Sequence, residues 1–247
     1  MTGSNSTRKV KYSFVLPVFN EVDNLGILLT ELNTTIAEIS AVCEIIFVDD
    51  HSTDGSGETL HKYALEQQNI RTIRFVENRG QSAALSAGFQ LAAGEYVITL
   101  DSDLQNDVRD ILKMLAHIPD YDMVTGSRVK RNDSWIKKLD SRIANFIRNK
   151  LTRENIWDTG CSLKIMRRDL LNRIKMFKGM HRFLPTLMKM EGASVLEIPV
   201  SHRPRTHGDS KYGTWDRAIS GFRDLLVVRW MQDRFIEYKI EEFSDEH

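Results

Sequence analysis

Short apolar runs alternate with helical patterns through the first hundred residues, and this alternation limits the fold more than any other feature. Strands are predicted for the apolar runs at 12–19, 43–48, 70–77 and 96–100. Helices are predicted where apolar residues recur three and four positions apart, at 23–40, after residue 56 as far as 68, and at 81–93. Because strands that alternate with helices at this spacing form a parallel sheet covered by helices, the chain is predicted to be an α/β protein.

Acidic residues follow three of these predicted strands. Glu21 comes after the first, Asp49 and Asp50 close the second, and Asp101 and Asp103 follow the fourth. In open sheets of this kind, ligands bind at the carboxyl ends of the strands, where the loops meet. The three acidic loops therefore predict a ligand site at one edge of the sheet.

The segment Asp101-Ser-Asp103, with Gln105 just beyond it, carries the most specific chemistry. Two carboxylates and an amide stand where an apolar run stops, and Mg2+ and Mn2+ prefer such oxygen ligands, sharing their shell with substrate phosphates. The alternative is that both aspartates only cap the following helix. The rest of the chain has to decide between the two interpretations.

Glycine-rich phosphate-binding motifs are absent from the sequence. No GxGxxG follows the first strand, and no GxxxxGK[ST] occurs anywhere. Dinucleotide oxidoreductases and P-loop enzymes both depend on such motifs. A nucleotide-sugar donor held by acidic residues and a metal fits better.

Charge and cysteine content narrow the class of protein further. Thirty-four basic residues balance 34 acidic ones, so net charge gives no argument for a nucleic-acid partner. The two cysteines, Cys43 and Cys161, provide no disulfide framework and favour a reducing, cytoplasmic compartment. The polar segment 1–11 lacks the apolar stretch of a secretory signal and is predicted to be a flexible tail. The sequence contains no run of 18 apolar residues, so no transmembrane helix is predicted.

The second half has a different character. It predicts a helix at 110–118, a strand at 123–127 and a strongly basic amphipathic helix at 134–151. The basic helix fits a membrane surface or an anionic ligand, and equally an ordinary surface helix. After a strand that begins at 195, a loop rich in cations and hydroxyls extends to 213 and either folds over phosphates or is a polar connector. Segment 215–238, which mixes apolar residues with arginines, could lie in a bilayer interface.

Four ordered motifs in the first half resemble the family 2 glycosyltransferases of the GT-A fold, and among them the polyprenyl-phosphate glycosyltransferases. They are Leu16-Pro-Val-Phe-Asn-Glu21, Val48-Asp-Asp-His-Ser-Thr-Asp-Gly-Ser56, Asn78-Arg-Gly-Gln-Ser-Ala-Ala84 and Leu100-Asp-Ser-Asp-Leu-Gln-Asn106. The second half adds Gly126-Ser-Arg128, Ser141-Arg142, Asp158-Thr-Gly-Cys161 and Gly208-Asp-Ser-Lys-Tyr212. The similarity extends from about 12 to 235. It implies a Rossmann-like, mostly parallel sheet flanked by helices, and a hexosyltransferase activity.

The resemblance implies a donor site in the first half. Pro17, Phe19 and Glu21 would border the nucleotide, with Asp49 near its base or ribose. Phe19 stands where relatives often have Tyr, so that stacking is retained and a hydroxyl contact is lost. Asp101, Asp103 and Gln105 would hold Mg2+ or Mn2+ and the donor diphosphate, with Asp103 and Gln105 favoured as direct ligands. Ser102, which stands in the donor site between the two aspartates, replaces a frequent Ala without consequence.

For the acceptor the resemblance implies a polyprenyl phosphate, undecaprenyl or dolichyl. Arg128 and Arg142 would bind its phosphate, while Arg205, Ser210 and Lys211 would close over the diphosphates. A lipid phosphate is already an anion, so it needs positioning by arginine rather than a general base. Asp158 is therefore interpreted as an orienting group, or alternatively as an anchor for the turn at Gly160. If the acceptor were a saccharide hydroxyl, a carboxylate base such as Asp158 would be required.

The predicted organisation is a tail at 1–11, a GT-A domain at 12–213 and an amphipathic helix with an acidic tail at 214–247. Within the domain, 12–106 is the nucleotide-sugar half and 107–213 the acceptor half. The donor is expected to be a UDP-sugar, with GDP-mannose as the alternative. Many relatives continue into transmembrane helices, so a peripheral contact at the inner face of the cytoplasmic membrane is expected, with a small membrane protein as a further candidate partner. The rival interpretations are a transferase that extends a saccharide and a non-catalytic nucleotide-sugar-binding module.

Overall fold

The computed structural model describes residues 9–128, 156–204 and 214–236, and in the last range the side chains from residue 221 onward. In these ranges a single sheet of seven strands runs through the molecule. The strands are β1 (Tyr12–Val18), β2 (Cys43–Asp49), β3 (Ile70–Arg74), β4 (Tyr96–Thr99), β5 (Met123–Arg128), β6 (Lys164–Arg167) and β7 (Val195–Val200).

Helices connect the strands, as the alternating pattern predicts. They are α1 (Val22–Ala37), α2 (Ser56–Glu66), α3 (Gln81–Leu91), α4 (Asp110–Leu115), α5 (Arg168–Leu171), α6 (Leu184–Met190) and α7 (Thr214–Arg234), and a 3-10 helix, Met180–Phe183, precedes α6. The predicted boundaries hold to within a few residues, although α1, β3 and α4 each end three residues earlier than the apolar pattern suggests. The predicted tail as far as residue 8, the basic helix 134–151 and most of the late cationic loop lie outside the described ranges.

The strand order is β3-β2-β1-β4-β6-β5-β7. Strands β1 to β4 are mutually parallel, β6 is antiparallel to both of its neighbours, and β5 pairs with β7 in parallel. The predicted mostly parallel sheet is confirmed. Because the chain moves outward from β1 to β3 and returns to add β4 on the other side of β1, the order reverses between β1 and β4. Ligands of open α/β sheets bind at such a reversal point.

Apolar side chains fill both faces of the sheet. Every residue of β2 is buried, and Phe14, Phe47 and Ile98 are fully inaccessible to solvent. On one face α3 lies so close to β1 that a Cβ on Gly88 would be 2.2 Å from Cγ1 of Val15. This close contact fixes the position of α3 on β1. It therefore also fixes where the N-terminus of α3 lies relative to the edge of the sheet.

Strand β6 and helices α5 and α6 are elements that the sequence did not predict. Strand β6 is only four residues long and begins with Lys164, which breaks the apolar pattern. It nevertheless lies in the middle of the sheet, between β4 and β5. A short strand with a buried lysine has no periodicity from which it could be recognised.

Helix α7 packs against the 3-10 helix and α6 through one face. Leu225 and Val228 are buried against an apolar cluster that includes Met180, Phe183 and Leu187. Phe222 and Trp230 are 53% and 63% exposed on another face. The amphipathic character predicted for this segment is therefore present. Among the helices that the structure describes, none has the length and apolar character needed to cross a bilayer.

The contact between α3 and β1 leads to a stability prediction. Gly88→Ala would place a methyl group 2.2 Å from Val15, so we expect a loss of about 1 to 3 kcal/mol in the free energy of unfolding. Gly26→Ala in α1 is the matched control, because its Cβ would meet only Tyr63 at an ordinary 3.7 Å and gain helix propensity. Denaturant unfolding of both variants measures the difference, and equal stabilities would contradict the prediction.

Candidate active site

The loop after β4 is tied to the end of β1. The Ser102 hydroxyl donates to the carbonyl of Pro17 at 2.9 Å, across the point where the strand order reverses. Leu104 adopts a positive φ of 61° and turns the chain sharply, and the backbone N–H of Gln105 donates to Oδ1 of Asp103 at 3.2 Å. The Gln105 carbonyl accepts the N–H of Arg203 at 2.8 Å. The predicted metal-binding residues are therefore held in one turn at the edge of the sheet.

Asp101 is enclosed by groups from distant parts of the chain. Its Oδ1 accepts the amide of Gln81, the first residue of α3, at 2.7 Å, and its backbone N–H donates to the Ser162 hydroxyl at 3.3 Å. Burial and, to a smaller extent, the neighbouring charge of Asp103 raise the pKa of Asp101 to about 6. Ser162 and, more weakly, Lys164 and Arg128 act in the opposite direction.

This electrostatic environment fits a cation. Two carboxylates close enough to raise a pKa would both be stabilised as anions by a divalent ion. In the described part of the chain no group of three His, Cys, Asp or Glu side chains is arranged to hold a metal by itself. Asp101, Asp103 and the Gln105 amide match instead a Mg2+ or Mn2+ ion that shares its shell with a diphosphate, since such ions use few protein ligands.

Two loops at the ends of β1 and β2 are joined by hydrogen bonds. Asn20, with a φ of 54°, donates its backbone N–H to the Ser52 hydroxyl at 2.9 Å and accepts the N–H of Thr53 at 2.8 Å. The backbone N–H of Glu21 donates to the Ser56 hydroxyl at 3.0 Å, and the Glu21 carboxylate accepts the Asn24 amide at 2.6 Å. Pro17, Phe19 and Glu21, each partly buried, therefore line a fixed edge.

The two aspartates that close β2 have different partners. Asp49 is 1% exposed, with Oδ1 accepting the N–H of Ser52 at 2.9 Å and Oδ2 lying 3.2 Å from Nε of Arg74. The Asp50 carboxylate accepts the backbone N–H groups of Arg79 and Gly80 at 2.6 and 2.7 Å. Asp49 thus stabilises its own loop, and its predicted contact with the nucleotide stays a prediction.

Asp50 and Gly80 together place the N-terminus of α3. Gly80 has a φ of 87°, which residues with side chains rarely adopt, and its N–H is fixed by Asp50. Gln81 follows immediately and reaches Asp101. The family resemblance implies no role for the residues of the motif Asn78-Arg-Gly-Gln-Ser-Ala-Ala84. The structure connects it directly to the aspartate site.

Arg128 and Asp158, which the sequence placed in one site, form a two-point ion pair. Nε of Arg128 is 2.6 Å from Oδ2 and Nη2 is 2.8 Å from Oδ1 of Asp158. Burial opposes the charge of Arg128, but the hydrogen bonds and charge of Asp158 raise the pKa of the guanidinium above its usual value. Asp158 is itself positioned by Glu197, whose carboxylate accepts the backbone N–H groups of Trp157 and Asp158 at 2.8 and 2.7 Å.

Lys164 is a charged residue of the site that sequence reasoning missed. It is 3% exposed on β6 and donates to the carbonyl of Cys161. Burial lowers the pKa of Lys164, while Cys161, Asp158 and Asp101 act to raise it. The charges of Asp101 and Asp158 therefore act on both Lys164 and Arg128. These four residues form a charge cluster that joins the end of β4 to the end of β5. The predicted site residues Arg142, Arg205, Ser210 and Lys211 lie outside the described ranges.

Comparison with known proteins places the chain in a family. Residues 13–175 match the model of glycosyl transferase family 2. The chain belongs to this family. It is a glycosyltransferase, as the family match and the curated relatives described next show.

Curated relatives are similar over nearly the whole chain. The dodecaprenyl-phosphate galacturonate synthase of Rhizobium johnstonii is 34% identical over 96% of this chain and 71% of its own length. The undecaprenyl-phosphate 4-deoxy-4-formamido-L-arabinose transferase of Aeromonas hydrophila is 36% identical over 85% of this chain and 65% of its own length. The family 2 chain described here thus spans about two thirds of the length of these relatives.

Solved structures share the GT-A fold. The mannosyltransferase PcManGT of Pyrobaculum calidifontis, in complex with GDP-Man and Mn2+, has a TM-score of 0.58 and 21% identity over 92% of this chain and 70% of that one. Glucosyl-3-phosphoglycerate synthase of Mycobacterium tuberculosis, in complex with Mn2+ and UDP-glucose, has a TM-score of 0.65 and 14% identity over 94% of this chain and 81% of that one. At these identities the similarity concerns the fold, and the predicted fold class is confirmed.

The raised pKa of Asp101 predicts how stability depends on pH when metals are chelated. The folded state keeps a proton up to a pH of about 6, whereas the unfolded chain loses it near 3.8, so the stability contributed by Asp101 falls as the pH rises through this window. We therefore expect Asp101→Asn in EDTA to be about 1 to 3 kcal/mol more stable than the wild type at pH 8. The difference should shrink towards pH 4.5.

Thermal unfolding across this pH range measures the effect. Asp120→Asn is the control, since Asp120 is an exposed acid away from the site. A wild type that is more stable than Asp101→Asn at pH 8 would show that Asp101 is stabilised as an anion without a metal.

Proposed function

We propose that this family 2 enzyme is a metal-dependent, inverting glycosyltransferase that moves a sugar from a nucleoside-diphosphate sugar to a polyprenyl phosphate. The observation that carries the proposal is the charge cluster. In it, the carboxylate of Asp101 and the guanidinium of Arg128 lie near enough for the charge of each to act on the pKa of the other. A metal and donor diphosphate beside Asp101 and an anionic acceptor beside Arg128 would bring the reacting groups together. The polyprenyl-phosphate substrates in the names of the curated relatives support this choice.

On the donor side, Asp101, Asp103 and Gln105 would hold the Mg2+ or Mn2+ ion. When bound, the ion neutralises charge that develops on the departing nucleoside diphosphate. Ser102 fixes the loop to β1. The residues of the β1 and β2 loops, Pro17, Phe19, Glu21 and Asp49, would border the nucleotide, and Phe19 offers a ring for stacking. A UDP-sugar is favoured, with GDP-mannose as the alternative.

On the acceptor side, Arg128 would position the phosphate together with Arg142. A phosphate anion attacks without losing a proton, so the arginines need only orient and desolvate it. Both oxygens of Asp158 already accept hydrogen bonds from Arg128. A carboxylate engaged in this way is suited to orienting the guanidinium rather than to taking a proton. Arg205, Ser210 and Lys211 would close on the diphosphates.

The exposed face of α7 supports a peripheral contact with the inner face of the cytoplasmic membrane. Phe222, Leu226 and Trp230 recur every four residues and are all substantially exposed, with exposed Arg223 beside them. Aromatic and aliphatic side chains flanked by arginine favour a bilayer interface with anionic lipids. This contact would bring the site to a lipid acceptor. A small membrane protein that covers the same face is the alternative partner.

The reaction class is tested by nucleoside diphosphate release from UDP- and GDP-sugars with Mg2+ or Mn2+, with and without undecaprenyl phosphate in detergent. Release that needs both metal and lipid phosphate is expected. Slow release at the same rate with and without the lipid would point to a saccharide acceptor, for which Asp158 would have to serve as base. No release with any donor would favour a binding module without catalysis.

Removal of the acceptor cation gives a quantitative prediction. Arg128→Ala should lower acceptor-dependent kcat/KM by roughly 30-fold to several thousand-fold, because truncating a buried charged phosphate contact costs about 2 to 5 kcal/mol. The slow hydrolysis of the donor without acceptor should change much less. Arg167→Ala removes an exposed arginine from the far end of β6 and is the control. A loss below about threefold for Arg128→Ala contradicts its assigned role.

The membrane contact is tested on α7. Replacing Phe222 and Trp230 together by serine should reduce binding to liposomes that contain anionic lipids by about tenfold or more, since two exposed apolar anchors are lost. Turnover with a short, detergent-solubilised acceptor should be retained. The matched control replaces Val76 and Leu65, which are exposed elsewhere on the surface, by serine. Equal loss of binding and turnover would make this face of α7 structural.

A further inference from the structure

His181, in the 3-10 helix Met180–Phe183, is anchored through one ring nitrogen. Its Nδ1 lies 2.7 Å from the hydroxyl of Ser82, and the same hydroxyl accepts the backbone N–H of Gly179 at 3.0 Å. Of these two contacts of the Ser82 hydroxyl, the one with Nδ1 is the one in which the hydroxyl can donate, because a backbone N–H only donates. With the Ser82 hydroxyl assigned as the donor to Nδ1, the hydrogen of the neutral imidazole lies on Nε2.

The imidazole stays neutral over the working range of pH. Burial, with smaller contributions from the nearby charges of Arg182 and Lys164, lowers the pKa of His181 to about 3. Nε2 consequently remains a hydrogen-bond donor without a positive charge. Such a donor suits a hydroxyl or carbonyl oxygen better than a phosphate, which favours cations.

Nε2 is available to a ligand. In the described part of the chain, Nε2 makes no hydrogen bond, and it is not fully buried. The ring also belongs to the neighbourhood of the charge cluster, since it lies in the field of Lys164. Ser82, which holds it, directly follows Gln81, whose amide binds Asp101.

Contacts with α7 hold the backbone around His181 in place. Gly179 has a φ of 87°, and a Cβ at this position would lie 2.1 Å from Oδ2 of Asp224 on α7. Met180 and Phe183, on either side of His181, pack against Leu225 and Val228 of the same helix. The ring is therefore preorganised before a ligand binds, which reduces the entropy lost on binding.

We propose that Nε2–H of His181 donates a hydrogen bond to an oxygen of the donor sugar and so takes part in selecting that sugar. The inference rests on the proposed function, because it requires a nucleotide-sugar donor beside Asp101. The charged groups and the neutral ring would contact different parts of the donor. Arg128, Lys164 and the metal balance phosphate charge, whereas the neutral ring of His181 contacts a neutral part of the donor.

The test compares two dissociation constants, measured by calorimetry with Mn2+. The ligands are UDP-glucose and UDP, and GDP-mannose and GDP if the uridine pair does not bind. In His181→Asn the amide replaces Nδ1 and keeps the contact with Ser82 but does not reach the Nε2 position, whereas His181→Gln places an amide N–H there. His61→Ala, an exposed histidine on α2, is the control, and melting curves verify that each variant is folded.

We expect His181→Asn to weaken binding of the nucleotide sugar by about 3- to 20-fold and to leave binding of the nucleoside diphosphate within twofold, with partial recovery in His181→Gln. Ser82→Ala, which removes the anchor of the ring, should shift the same ratio in the same direction by a smaller factor. Equal effects on both ligands, or none, would overturn the role of His181 while the proposed function stands. A wild type that binds none of the four ligands would contradict the proposed function and the inference with it.

Discussion

The enclosure of the Asp101 carboxylate at the end of β4 is the interaction on which the rest of the site depends. It brings together an amide from the start of α3, a hydroxyl that precedes β6 and the charges of the buried Lys164 and the partly buried Arg128. Each of these groups is supplied by an element whose position is set by packing, most clearly α3 through Gly88. The aspartate therefore links the close packing of the sheet to the chemistry at its edge.

Much of the first half could be predicted because its signals are local. Buried strands are continuous apolar runs, helices have their own period, and acidic residues mark strand ends, so that the sheet and the aspartate site follow from neighbours in sequence. The motif resemblance also placed Arg128 and Asp158 in one site, and the structure pairs them across 30 residues. The roles assigned to both, like those of the residues outside the described ranges, remain predictions.

The remaining features depend on contacts between residues far apart in the chain. Strand β6 has no periodicity of its own and is recognised only by its two neighbours in the sheet. Lys164 looks like an ordinary surface lysine in the sequence, because nothing local reveals that it is buried. The bond between Ser82 and His181 spans 99 residues, and that between Gln81 and Asp101 joins a helix start to a strand end. Such pairs are determined by the folded geometry alone.

The ion pair of Arg128 limits the direction from which an anion can approach it. A guanidinium has five N–H donors, and Asp158 takes the one on Nε and one of the two on Nη2. The donors that remain are on the opposite edge, so an incoming anion meets a single, oriented side of the fork. With its charge balanced by Asp158, the pair acts as a dipole, whose field decreases faster with distance than that of a lone cation. The arginine therefore distinguishes an anion at contact distance from the many anions further away.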